Sequence, residues 1–255
     1  MYRVLATSQT PALVLYLLDV SASMDRAMGD KTRLQVALEA LREALSAMLF
    51  RSTKGMQISP RYLVGIYAYS NGVIDVLEGV RPIDQVAPIV DQRLRLIHTQ
   101  QGTETAQAFY QAAQILKQWL PRLYSSPAPL IAHLTDGEYT GADPEPLARM
   151  LRQLRVADGY VLMQNIYISE SFARVVQHPQ RWTGIQSDTP LPDPYAQKLR
   201  AMSSLIPDTY LQYLREFMHA NLKDGSYMLF PGHTPEFIRF GFQMSAATGM
   251  QNIGG

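Results

Sequence analysis

An apolar stretch that ends abruptly in a carboxylate and two hydroxyls governs what this chain can fold into. Positions 12–23 read ALVLYLLDVSAS. Leu13, Val14, Leu15, Tyr16, Leu17 and Leu18 follow one another without alternation, as in a strand buried on both faces of a parallel sheet. The run stops at Asp19, and Asp19-x-Ser21-x-Ser23 then sets one carboxylate and two hydroxyls at alternate positions. Side chains leaving the end of a buried strand can converge above the sheet edge. An all-oxygen set suits a hard divalent cation such as Mg²⁺ better than zinc or copper. The same residues also read as a strand end followed by an N-cap serine, and this stretch alone leaves both readings open.

Composition removes several classes of function. Basic and acidic residues number 23 and 22, a formal net charge of +1, so no electrostatic case exists for nucleic acid or an anionic membrane. No cysteine is present, which excludes disulfides, thiolate metal sites and cysteine nucleophiles. The first residues lack a hydrophobic signal core, and the run at 13–18 is far too short to span a bilayer. A soluble cytoplasmic protein is the expectation. Hydrophobic residues make up 47% of the 255 positions, enough for a sizeable core in one large α/β domain.

Along the chain, strand and helix patterns alternate. Leu34, Ala37, Leu38, Leu41, Leu45 and Met48 recur at three- and four-residue spacing and predict a first helix. A second buried strand spans 63–69. Asn71-Gly72 follows, a hairpin signal, so a third strand at 73–77 is expected antiparallel at the sheet edge. A weaker helical pattern covers 82–97. Gln101-Gly102-Thr103 then runs straight into a helix with Ala106, Phe109, Ala113 and Leu116 on its buried stripe. Positions 129–134 give a fourth strand ending in Thr135-Asp136-Gly137-Glu138, and 160–168 a fifth. Prolines at 179, 190, 192, 194 and 207 break the rhythm through an excursion at about 170–224, which leaves the end of the fifth strand and is expected to pack beside the carboxyl ends of the strands. A short sixth strand at 226–230 and a last helix after Thr234-Pro235 complete the pattern. The expected fold is a Rossmann-like, doubly wound, mostly parallel six-stranded sheet with one antiparallel edge strand and helices on both faces.

Asp19-x-Ser21-x-Ser23, Thr103 and Asp136 all fall at strand ends or loops where open α/β sheets bind ligands. Together, DVSAS, the Gly102-Thr103 loop and LTDG resemble the metal-ion-dependent adhesion site (MIDAS) of the von Willebrand factor A family. The order and separations are the family's, and the likeness covers roughly residues 10–169. It implies one such domain over 1–255, of the stand-alone bacterial type. Ser21 and Ser23 would give hydroxyl oxygens to the metal, and Thr103 would bind directly or through water. Asp19 and Asp136 would hold coordinating waters and balance charge. The implied ion is Mg²⁺, with Mn²⁺ or Ca²⁺ as alternatives, and its open position would take an Asp or Glu of a partner protein. The family often has two glycines before the threonine, whereas Gln101 precedes Gly102 here. Glu104, Glu138 and Asp25 also lie near the crevice and read as solvated loop charges. His133 sits inside an apolar strand and reads as a satisfied core residue.

The function expected from this resemblance is a non-enzymatic binding module, a scaffold or adaptor. The family includes cytoplasmic members that work beside ATPases, kinases or phosphatases. A competing reading is a Mg²⁺-dependent phosphohydrolase with Asp19 as nucleophile. Such enzymes commonly need a second acid two residues on, where Ser21 stands, and no acid–base partner or lysine is evident. A third is a structural scaffold that needs no metal.

Overall fold

The structure, a computed structural model, describes residues 1–174 and 178–250. In chain order the main elements are β1 (Ala12–Asp19), α1 (Arg33–Ser52), β2 (Tyr62–Tyr69), β3 (Val73–Asp75), β4 (Arg81–Pro82), α2 (Ile83–Val86) and α3 (Val90–Leu94). They continue with α4 (Thr105–Trp119), β5 (Leu130–Thr135), α5 (Glu145–Leu151), β6 (Leu162–Tyr167), α6 (Pro194–Met202), α7 (Asp208–Phe217), β7 (Leu229–Pro231) and α8 (Pro235–Ser245). Seven strands form one sheet in the order β7-β6-β5-β1-β2-β3, with β4 also paired to β2. All pairs from β7 to β2 are parallel; β3 and β4 run antiparallel to β2. The fold is thus the expected mostly parallel, Rossmann-like one.

At the antiparallel edge the expected single strand is broken in two. The Asp75 carboxylate accepts the Gly79 N–H, and Glu78 and Gly79 both take positive φ, so the chain turns away after three residues and returns at Arg81. The helical pattern at 82–97 likewise resolves into two short pieces, α2 and α3.

The two faces of the sheet are covered by different helices. Helices α1 and α8 pack together on one, and α4, α5 and α6 on the other. Tyr16 in β1 points to the first, where its hydroxyl meets Ser245 of α8. His133 in β5 points to the second, edge-on to Phe109 of α4 at 5.1 Å. Every residue of β1, β2, β5 and β6 is buried, which is why β1 and β2 read as runs without alternation; the polar residues inside β5 and β6, His133, Gln164 and Asn165, are buried with hydrogen-bond partners.

The excursion at 170–224 was expected beside the carboxyl ends of the strands. Only parts of its first half are there: Glu170 pairs with Arg33, and the Tyr195 ring packs on Tyr167, whereas the Ile185 carbonyl accepts the Tyr227 N–H, ahead of β7. Helix α6 then runs along β6, and the Ser204 N–H reaches Met163 near the amino end of that strand. From there Thr209 bonds the carbonyl of Tyr2, so α7 lies at the opposite pole. A nine-residue helix rises about 13 Å, enough to carry the chain across the strands' length. Positions 175–177 lie outside the described residues.

Candidate metal centre

The chain leaves β1 toward β2 and β3, then crosses back to β5, β6 and β7 on the other side. The strand order therefore reverses at the carboxyl ends of β1 and β5, the place where open α/β sheets leave a crevice. Leu18 pairs with Leu134, so Asp19 stands beside Thr135 and one residue from Asp136.

Four of the five expected residues are joined by hydrogen bonds. The Asp19 carboxylate is fully buried; Oδ1 accepts the Ser21 N–H at 2.8 Å and Oδ2 accepts the Thr135 hydroxyl at 2.7 Å. Ser21 Oγ and Ser23 Oγ are 2.9 Å apart, and Ser23 donates to Asp136 Oδ1 at 2.6 Å. Because Ser23 has one proton and gives it to Asp136, Ser21 must donate to Ser23. Ser21 precedes a short 3₁₀ turn, Ala22–Asp25, in the N-cap position, yet its side chain caps nothing. Here the capping reading of the motif gives way: the hydroxyl is turned toward Ser23 instead.

Thr103 reaches the crevice by another route. Gln100 N–H bonds the Val20 carbonyl, and Glu104 N–H bonds the Ser70 carbonyl, so the loop is stitched to the ends of β1 and β2. Gly102 turns it with φ of 88°, and a Cβ there would lie 2.9 Å from Asn71 Oδ1. Thr103 is buried, its backbone paired in both directions with Thr140. No hydrogen bond among the described residues links its hydroxyl to the two serines or two aspartates.

Among the other nearby acids, Asp25 accepts from Thr99. Glu138 is exposed, and the Glu104 carboxylate lies against Gly141.

Two features of the site carried little sequence signal. Arg33, its side chain only 6% exposed, places Nη1 2.7 Å from Asp136 Oδ2. It occupies the first position of α1, behind a capping box made by Thr32 and Gln35. A cation there opposes the helix dipole, and that mismatch is the signal that could have singled it out. The second is Tyr195, whose buried hydroxyl has no hydrogen-bond partner among the described residues and lies near Asp19 and Thr135. Burial pushes the Asp19 carboxyl up to about 6, against the Thr135 hydroxyl and the Ser21 N–H that pull it down. A nearby positive charge is what such a carboxylate lacks.

The donor set fits a hard cation. Two oxygens at right angles on Mg²⁺, with bonds of about 2.0–2.1 Å, stand about 2.9 Å apart. The Ser21–Ser23 separation matches that edge. Ser21 gives its proton to Ser23 and Ser23 gives its own to Asp136, so each oxygen keeps a lone pair for an ion. Among the described residues no three His, Asp or Glu side chains form a metal cluster; the neutral hydroxyls complete the set.

A switch-point crevice lined with hydroxyls and carboxylates defines a class of binding domain, and comparison with known proteins gives it a family. The model for the von Willebrand factor type A domain matches residues 14–138, which include all five site residues. Residues 14–138 thus carry the match to a von Willebrand factor type A domain. Several solved structures share its fold. A von Willebrand factor type A protein from Catenulispora acidiphila is 17% identical, covering 94% of this chain and 43% of its own, at a TM-score of 0.59. The pilus adhesin SpaC from Lactobacillus rhamnosus GG is 12% identical over 92% of this chain and 30% of its own, at 0.60. Proximal thread matrix protein 1 from the mussel byssus, solved with a zinc-occupied MIDAS motif, is 13% identical over 92% and 47%, at 0.51. The chain thus spans less than half the length of these structures. No curated protein matches it. Among the described residues no helix is long and apolar enough to cross a membrane.

Proposed function

We propose that this protein is a divalent-cation-dependent binding module that captures an acidic residue of a partner protein. The observation that carries the reading is the hydrogen-bonded chain Ser21–Ser23–Asp136, with Asp19 tied to its start. Ser21, Ser23 and Thr103 would bring neutral oxygens to the ion, and Asp19 and Asp136 would bring charge. When bound, Mg²⁺ or a similar ion supplies an open coordination position to a carboxylate. Neutral ligands leave that position electrophilic, so an incoming Asp or Glu is favoured over water. The zinc-occupied MIDAS motif of the mussel protein supports divalent binding at this kind of site.

The same reading takes residues 1–255 as one domain, non-catalytic and cytoplasmic, serving as a scaffold or adaptor beside an ATPase, kinase or phosphatase. Its near-neutral charge and cysteine-free sequence support that placement. Calorimetric titration of wild type and Asp19→Ala with Mg²⁺ and Mn²⁺ tests the metal. A response from wild type that the variant loses is expected; equal responses would remove the claim. Pull-down from the native organism with and without chelator tests the partner, whose capture should need the ion.

A further inference from the structure

Arg33 is a cation built into a cation site. Its guanidinium is buried against Asp136 at 2.7 Å, and its other nitrogen lies 3.5 Å from the exposed Glu170. It also lines a cavity of about 270 Å³ with Met28, Glu170, His233 and Thr234. Nothing in the helix it begins asks for a positive charge, since the dipole there favours an acid. The charge acts on the site instead.

We propose that Arg33 is an electrostatic brake on metal binding that makes stable occupancy depend on an accompanying carboxylate. This rests on the metal reading above. Of the buried charges, Asp19 and Asp136 give two negative ones and Arg33 cancels one; Glu170, the other partner of Arg33, is exposed and screened by solvent. A divalent ion then leaves the cluster with one net positive charge, whereas without Arg33 it would be neutral. The excess positive charge weakens the ion's hold and strengthens that of an anion arriving at it, and the two affinities are linked reciprocally. Asp136 is held by its hydrogen bond from Ser23 and its ion pair with Arg33, so the carboxylate is aimed before an ion arrives.

Mn²⁺ titration of wild type, Arg33→Gln and Arg33→Lys, with and without glutarate as the carboxylate probe, tests this. Glutamine keeps a hydrogen-bond donor for Asp136 and removes the charge; lysine keeps the charge. Arg33→Gln should bind Mn²⁺ roughly tenfold more tightly than wild type without glutarate. Arg33→Lys should stay near wild type, and glutarate should raise affinity more in wild type than in Arg33→Gln. Unchanged or weaker binding by folded Arg33→Gln assigns the arginine a purely structural role and overturns the proposal. So does an equal glutarate effect in both. If Arg33→Gln is unfolded by circular dichroism, Arg33→Met carries the same titration, and failure of both to fold makes Arg33 an obligatory structural counter-ion, which also overturns it. If no variant and no wild type binds Mn²⁺, the metal reading itself falls and takes this inference with it.

Discussion

Ser23 donates a 2.6 Å hydrogen bond to Asp136, a residue 113 positions further along the chain. Charge-assisted bonds of this length are roughly twice as strong as neutral ones. This one closes the crevice between β1 and β5 and fixes both side chains of the candidate centre at once.

Ser23→Ala should therefore cost metal affinity directly. It removes one oxygen and leaves Asp136 Oδ1 without its donor. A loss of about 10–100-fold in Mg²⁺ or Mn²⁺ affinity is expected, read by calorimetry, with the fold intact by circular dichroism. Unchanged affinity would place the ion elsewhere.

Metal-free stability should show two opposed pH dependences. His133 is fully buried, and Asn165 Nδ2 donates to Ser203, so Asn165 Oδ1 faces the ring and accepts Nδ1–H. Nε2 then accepts from the Tyr69 hydroxyl. Burial brings the His133 pKa down to about 4, from an ordinary 6.5. Between those values the unfolded chain takes up a proton that the fold refuses, so stability is lost as pH falls through the window, by up to roughly 3 kcal/mol.

Asp19 works the other way. Its folded pKa of about 6 lies above the ordinary 3.8, so its contribution is complete below 3.8 and is lost as pH rises through 6. In chelator, wild type should show a shallow dependence because the two slopes offset. Asp19→Asn should be more stable than wild type at pH 7, by roughly 1–3 kcal/mol, and should lose stability steeply on acidification. His133→Gln should instead gain relative stability as pH falls. Urea unfolding across pH 4–7 checks this; parallel curves for all three proteins would contradict it.

Gly102→Ala should loosen the threonine loop. Its φ of 88° disfavours any side chain, and the added Cβ would press on Asn71 Oδ1 at 2.9 Å. A loss of about 1–2 kcal/mol is expected from thermal melts, together with weaker Mn²⁺ binding as Thr103 shifts.

The order of strands was readable because buried parallel strands advertise themselves. The runs at 13–18 and 63–69, and that ending at Asp136, have no alternation to be mistaken for a solvated face. Asp19 and Asp136 were readable for the same reason, since a polar residue terminating such a run has few other places to be, whereas Ser21, Ser23 and Thr103 joined them through the resemblance to the family's motif. Arg33 was not, because its role arises from a contact 103 positions away and its own neighbourhood looks like an ordinary helix start. The excursion misled because its departure point near Glu170 is at the carboxyl end of β6, while α6 carries the chain to the other pole. Prolines mark irregularity but not direction.

The bond between Ser23 and Asp136 also sets a condition on when this molecule can act. A ribosome must release the chain past residue 136, and β5 must dock against β1, before both walls of the crevice exist. A truncated or half-assembled product would expose hydroxyls on one side and nothing opposite them. The candidate centre thus forms only once the two central strands have met.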